Sequence, residues 1–209
     1  HYRMGELIFQ TGMSGYQEII SDVAYYGQIV MMTYPAIGNC GINRDDFESI
    51  NLQMFGYVVK EYCETPSNFR SDMTLDEFMK LKGIPGIADI DTREITRKIR
   101  DHGTLKATMA DTDANVEEIV EMLKNTEVAN DGVKAVSTVK PFPIPARGPK
   151  VVLVDTGTKF AIIREFNTRG CDLVVVPYNM SAEEIDRVES ENMVSITAYS
   201  ELFDENYLE

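Results

Sequence analysis

The sequence predicts an α/β protein in two parts, and three observations carry that prediction. Short apolar segments of strand length alternate with helical patterns over the first two thirds of the chain. Residues 140–149 then hold four prolines, which neither a helix nor an inner strand tolerates. Beyond them, two unbroken apolar strands flank one helix, which is typical of a parallel β-α-β unit. We therefore expect a first domain over 1–139, a Pro-rich linker over 140–149 and a second domain over 150–209.

The first part alternates between the two kinds of element. Its expected strands are Leu7–Phe9, Ile29–Tyr34, Tyr57–Tyr62, Ile84–Ile90 and Leu105–Met109. Its expected helices are Tyr16–Ile20, Leu75–Lys82, a segment that Asp91 or Thr92 caps and Gly103 ends, and Asn115–Lys124. Two local signals support them: Thr74 and Glu77 have the spacing of a capping box, and Ile95 and Ile99 lie four apart on one helical face.

The second part begins as a doubly wound fold. Val151–Val154, a helix at Lys159–Thr168 and Asp172–Val176 make one β-α-β unit. Such folds usually contain about five strands. Only two are clear before the acidic, weakly patterned tail that begins at Ser190, so we expect an incomplete parallel domain.

Charge and hydropathy exclude several classes of function. The 34 acidic and 20 basic residues give a net charge of -14, which repels nucleic acid and anionic membrane surfaces. No apolar run approaches the roughly 20 residues of a membrane-spanning helix, and the first residues lack the apolar stretch of a signal peptide. The sequence therefore predicts a cytoplasmic protein that binds neither nucleic acid nor membrane.

The cysteines and histidines do not form an evident catalytic pair. Cys40, Cys63 and Cys171 are far apart and odd in number, which favours reduced thiols over disulfides or a zinc site. Cys63 and Cys171 lie at strand edges, where buried, inert thiols are usual. Cys40 is the sharpest nucleophile candidate, but a small residue in a tight turn is the favoured interpretation. Neither His1 nor His102 is a convincing base for it.

Two further patterns have a functional and a structural interpretation. The turn Asp155–Lys159 lies where a parallel sheet offers amides to an anion, yet it lacks the spacing of nucleotide loops, so a helix cap is favoured. The glycines Gly12 and Gly15 are an equally weak phosphate signal. An acidic loop could ligate a hard cation, although solvated carboxylates are the favoured interpretation: its members are Asp45, Asp46 and Glu48. The sequence predicts no metal site and no catalytic residue.

Several longer strings resemble those of one family. They are Gly5–Asp22, Gln28–Val30, Thr33–Asn39, Gly41–Asn43, Pro66–Arg70, Ile87–Arg93 and the second-part strings Val152–Asp155, Arg169–Cys171 and Val176–Pro177. Together they resemble the small subunit of carbamoyl-phosphate synthetase, over about residues 5–185.

The resemblance implies a fold, an activity and a partner. It implies a three-layer β/β/α amino-terminal domain and a flavodoxin-like class I glutamine amidotransferase domain, incomplete here. Family members hydrolyse glutamine with a Cys nucleophile and a His-Glu pair, and they pass ammonia to a large subunit. That subunit uses ATP, with magnesium, and bicarbonate to make carbamoyl phosphate for arginine and pyrimidine synthesis. The resemblance implies a heterodimer with no cofactor in this chain.

Two departures from the family limit what this chain does. The family's Gly-Ile-Cys-Leu-Gly-His-Gln nucleophile turn and its His-Pro-Glu string do not occur among the 209 residues, so we expect the chain to be inactive alone. Ala24 stands where the family has a glutamine-contacting Ser, and it has no hydroxyl to donate. Two alternatives stay open: residues 1–139 are a docking module for the large subunit, or Asp155–Lys159 binds an anion in a stand-alone protein.

Overall fold

The computed structural model describes residues 3–128, 131–189 and 193–196. The chain divides into two compact units, His1–Gly132 and Val133–Glu209. Both units mix helices with sheet, and the sheets contain parallel and antiparallel pairs, so the predicted α/β class is confirmed. The three-layer and flavodoxin-like descriptions, and the domain limits at residues 139 and 150, stay predictions.

The first unit is built on a five-stranded sheet. In chain order the strands of the whole first unit are β1 (Met4–Gln10), β2 (Gln28–Met32), β3 (Ala36–Ile37), β4 (Gly56–Val58), β5 (Glu61–Tyr62), β6 (Gly86–Ile87) and β7 (Leu105–Thr108). The large sheet has the order β6-β4-β2-β1-β7, with β7 antiparallel to β1. The pairs β6-β4, β4-β2 and β2-β1 are parallel, while β3 and β5 form a separate parallel pair.

Four helices and one 3₁₀ turn of the first unit accompany these strands in the described residues. They are α1 (Tyr16–Ile20), the 3₁₀ turn Val23–Tyr25, α2 (Leu75–Lys82), α3 (Thr92–His102) and α4 (Val116–Asn125). The Thr74 side chain accepts the Glu77 N–H while Glu77 accepts the Thr74 N–H, so the predicted capping box is confirmed. The Asp91 carboxylate accepts the Glu94 N–H at the start of α3.

The central strand β2 is buried on both of its faces. Val30 and Met32 pack with α1 and α2, whereas Ile29 and Met31 pack on the opposite face with Ile99 of α3. Met31 and Met32 are both 0 % exposed, so this methionine pair fills core space. A strand buried on both sides has no alternation of apolar and polar residues, which explains its unbroken apolar run.

Two predicted strands of the first unit are shorter than expected. The segment 57–62 is divided, because β4 ends at Val58 in the large sheet and β5 pairs with β3. Of the segment 84–90, only β6 is a strand. Apolar composition extends beyond the residues that pair, since Ile84 is buried next to α2 without being in a strand.

The second unit has a four-stranded sheet in the order β11-β9-β10-β8. Its elements are α5 (Gly132–Val136), which starts at the unit boundary, β8 (Phe142–Ile144), β9 (Lys150–Asp155), α6 (Phe160–Thr168), β10 (Asp172–Pro177), α7 (Ala182–Glu189) and β11 (Met193–Ile196). The parallel pair of β9 and β10 on either side of α6 confirms the predicted β-α-β unit.

The Pro-rich segment contains a strand that the sequence did not indicate. β8 lies inside it and pairs antiparallel with β10, with Pro143 opposite Val174. The strand is at the sheet edge, where a residue without an N–H costs no ladder bond on its outer side. Residues 142–144 of the predicted linker are therefore an edge strand, and the assignment of 140–149 as a linker stays a prediction. A further strand, β11, pairs parallel with β9 in the weakly patterned tail.

Candidate functional site

Ala24 lies in the 3₁₀ turn between α1 and β2, and the turn is held at both ends. The Asp22 carboxylate accepts the Ala24 N–H at 2.9 Å, and Val23 is buried. The side-chain amide of Gln10 donates to the Tyr25 hydroxyl, which ties the turn to the end of β1. The Ala24 side chain is exposed and apolar. The turn therefore exposes residue 24 to solvent, but the side chain there is a methyl group and not a hydrogen-bond donor.

A buried glutamine on α1 holds the loop that follows β3. Gln17 is 4 % exposed, and its amide donates to the Asn43 carbonyl at 2.6 Å while accepting the Asn43 N–H at 2.9 Å. The hydroxyl of Ser21, the C-cap residue of the same helix, accepts the Glu48 N–H at 2.9 Å. These bonds satisfy loop backbone groups that water cannot reach, so the loop has a fixed position on α1. Local sequence patterns do not show this network, because its partners are more than 20 residues apart.

Cys40 occupies a tight turn whose geometry depends on glycine. The Gly41 N–H donates to the Gly38 carbonyl at 3.0 Å, and the Tyr16 hydroxyl donates to the Gly41 carbonyl at 2.6 Å. Gly41 has φ +63°, and a Cβ on it would overlap the Ser71 side chain. These contacts support the interpretation of Cys40 as a residue in a tight turn.

No described residue supplies Cys40 with a base. Burial, and then the nearby Cys40 thiol, raise the pKa of Tyr16 well above its ordinary value, so the Tyr16 hydroxyl keeps its proton. His102 contacts the Lys98 carbonyl of its own helix through Nδ1 at 3.0 Å, and His1 lies outside the described residues. Cys40 is exposed, while Cys63 and Cys171 are half-buried, so the prediction that the last two are buried is wrong. The Cys63 thiol contacts the Thr65 carbonyl at 3.3 Å.

The acidic loop is used for an ion pair. The Arg70 guanidinium lies 2.9 Å from Asp45 and 3.5 Å from Asp46, and the Asn43 amide donates to Asp46 at 2.7 Å. Within the part of the chain that the structure describes, no group of three or more His, Cys, Asp or Glu side chains could hold a metal ion.

In the turn after β9, the Asp155 carboxylate accepts hydrogen bonds from the backbone of the turn itself. Asp155 is buried and accepts the N–H groups of Gly157, Thr158 and Thr138 at 3.0, 2.8 and 2.6 Å. An anion at this turn would need the first two of these amides. Their use by Asp155 agrees with a structural turn and counts against the anion-binding alternative.

Comparison with known proteins identifies the family. The model of the carbamoyl-phosphate synthase small chain, CPSase domain, matches residues 1–109. The chain belongs to this family. The resemblance that the sequence strings predicted is thus confirmed, and the matched residues contain the Ala24 turn, the Gln17 network and the Cys40 turn.

Curated small chains cover most of this sequence. The carbamoyl phosphate synthase small chain of Bacillus anthracis is 55 % identical over 92 % of this chain and 52 % of its own length. The pyrimidine-specific small chain of Bacillus subtilis (strain 168) is 54 % identical over 88 % of this chain and 50 % of its own length. The small chain of Oceanobacillus iheyensis is 53 % identical over 91 % of this chain. The chain thus spans about half the length of the curated small chains it matches.

No helix within the described ranges combines the length and the apolar character needed to cross a bilayer.

Proposed function

We propose that this chain is part of the small subunit of a glutamine-dependent carbamoyl-phosphate synthetase, which supplies ammonia from glutamine to a large subunit in the cytoplasm. The observation that carries the proposal is the 55 % identity to a curated small chain over 92 % of this sequence. The large subunit would bind ATP and magnesium, and carbamoyl phosphate would serve pyrimidine and arginine synthesis. The pyrimidine-specific name of the Bacillus subtilis relative supports the first of these routes.

We further propose that the 209-residue chain does not hydrolyse glutamine by itself. Its best nucleophile candidate, Cys40, is exposed on a turn whose neighbouring hydroxyl, that of Tyr16, is a donor and not a base. A Cys nucleophile is activated by an adjacent base, and no described residue supplies one to Cys40. The chain would therefore contribute the Ala24 turn and a docking surface, while the chemistry would belong to the rest of the small chain.

The experiment is a glutaminase assay on the whole small chain that contains this sequence, with and without its large subunit. We expect glutamine-dependent carbamoyl phosphate only when both subunits are present. In the same assay, Ala24→Ser should lower KM for glutamine a fewfold with little change in kcat, because a hydroxyl adds one hydrogen bond to the bound substrate. Absence of glutamine-dependent carbamoyl phosphate from the mixture that contains both subunits would contradict the proposal.

A second candidate function is docking without catalysis, and one exposed aromatic side chain favours it. Phe69 is 98 % exposed beside Arg70, which is held by Asp45 and Asp46. A large aromatic side chain on a fixed loop can insert into a pocket of a partner as an interface anchor.

Binding of the isolated chain to the large subunit tests the docking function. Phe69→Ala should weaken the complex at least tenfold in a titration calorimeter, since interface anchors contribute about 2 kcal/mol or more. Val116→Ala, on the exposed face of α4, is the matched control and should leave the affinity unchanged. Equal affinities for both variants would show that Phe69 does not contribute to binding the large subunit.

A further inference from the structure

Three arginines form a stripe along one face of α3, and we call them the arginine stripe. Arg93, Arg97 and Arg100 are four and three residues apart, which places them on the same helical face, and all three are exposed. A different face of the helix packs on the sheet, because Thr92 and Ile99 are buried. The arginine stripe is thus a positive surface in a chain whose net charge is -14.

The acidic residues of α3 do not neutralise the arginine stripe. Glu94 pairs with Lys98 at 2.7 Å, on another part of the helix surface. Arg100 makes a longer contact with Asp101, at 3.8 Å. The other two arginines have no ion pair among the residues that the structure describes. Their positive charge is therefore available to an outside partner.

The arginine stripe is unfavourable for the helix that carries it. Arg93 is the second residue of α3, where the positive end of the helix dipole repels a cation. Arg93 and Arg97 are also four residues apart, a spacing at which like charges repel each other. Helix stability therefore does not explain these two residues, and an anionic partner would offset both repulsions.

We propose that the arginine stripe docks an acidic surface of the large subunit. This inference rests on the proposed function, which supplies the large subunit as the partner. The net charge of -14 means that the chain as a whole repels an acidic surface, so the stripe gives that surface a place of local attraction. Guanidinium groups suit such a contact, because each can hold a carboxylate with two parallel hydrogen bonds.

Association rates test the inference on the whole small chain that contains this sequence, mixed with purified large subunit. Arg93→Gln combined with Arg97→Gln should slow association about fivefold at about 50 mM salt, because charges at an interface act mainly on the association rate. At about 1 M salt, where the screening length is about 3 Å, the rates of the variant and the natural chain should converge. Lys60→Gln combined with Lys80→Gln is the matched control. It removes the same charge from two lysines that already have acidic partners, and it should leave the rate nearly unchanged.

Thermal unfolding separates docking from a structural role of the same residues. Because Arg93 and Arg97 repel each other and Arg93 opposes the helix dipole, the double glutamine variant should raise the melting temperature of the free small chain by about 1 °C. Arg93→Lys combined with Arg97→Lys keeps both charges and should retain most of the association rate. A lowered melting temperature in the glutamine variant would overturn the inference, since the arginines would then stabilise the fold.

Three further outcomes would contradict the inference in different ways. Equal association rates for the natural chain and the glutamine variant would overturn it and leave the proposed function in place. Absence of a complex between the natural small chain and the large subunit would overturn the proposed function and this inference with it. Dimers of the small chain alone at low salt, absent in the glutamine variant, would show that the stripe holds a second copy instead of the large subunit.

Discussion

At the residue scale, Gly41 shows why the tight turn around Cys40 needs its flanking glycine. Its φ of +63° is a left-handed conformation, and a Cβ would also overlap the Ser71 side chain. Gly83, at the end of α2, has a similar φ of +65° but no atom within 4 Å of a Cβ placed on it. The two positions therefore separate backbone strain from steric overlap.

We predict that Gly41→Ala lowers the free energy of unfolding by about 3 kcal/mol, while Gly83→Ala lowers it by about 1 kcal/mol. Both variants force alanine into the left-handed region, and the first also displaces Ser71. Urea unfolding followed by tyrosine fluorescence measures both values. Equal losses would show that the turn shifts enough to accept a Cβ at residue 41.

Ala24 lies in an exposed 3₁₀ turn, and its place in a glutamine site stays a prediction. The turn that carries it is anchored by Asp22 and by Gln10, and neither bond depends on the residue at position 24. A change from Ser to Ala at position 24 therefore removes a hydroxyl that could bond a ligand, and it leaves the shape of the turn intact.

At the element scale, helices with local end signals were predicted well. The limits of α2 and α3 follow from Thr74, Glu77, Asp91 and Gly103, all within four residues of a helix end. Strand limits were predicted less well, because pairing partners are remote in sequence. β8 depends on β10, which lies about 30 residues later, and prolines hide its pattern. No local signal divides 57–62 into two strands in two sheets.

The capping box of α2 gives a prediction with a pH dependence. The backbone hydrogen bond from Thr74 lowers the pKa of Glu77 below its ordinary value. A lowered carboxyl pKa in the folded state stabilises the protein above the pKa of the unfolded state. That contribution is lost as the pH falls through the lowered value. Acidification should therefore increase hydrogen exchange in the first turn of α2.

Glu77→Gln is the matched variant, because glutamine can make the same two bonds without titrating. Its exchange rates in α2, corrected for intrinsic pH dependence, should be flat between pH 6 and pH 3, roughly the range in which an exposed glutamate titrates. The same rise in Glu77→Gln as in the natural chain would contradict this account of the helix end.

At the scale of the whole molecule, the two units contain different features. The family match at residues 1–109 lies within the first unit, which also contains the Ala24 turn and the exposed Phe69. The second unit begins with a parallel β-α-β arrangement, and its Asp155 turn is closed by its own carboxylate. The family could be recognised from sequence because long strings are shared with it. The Gln17 network could not, since its partners lie more than 20 residues apart and meet only in the folded chain.

Two proposals belong to this scale: the chain is part of a glutamine-hydrolysing enzyme, and its own 209 residues do not hydrolyse glutamine. The most direct test is the rate of ammonia release from glutamine by the 209-residue chain mixed with purified large subunit. We predict a rate equal to that of the large subunit alone, and no change with Cys40→Ala. Turnover above that background, abolished by Cys40→Ala, would contradict the account and would make the Cys40 turn a catalytic site.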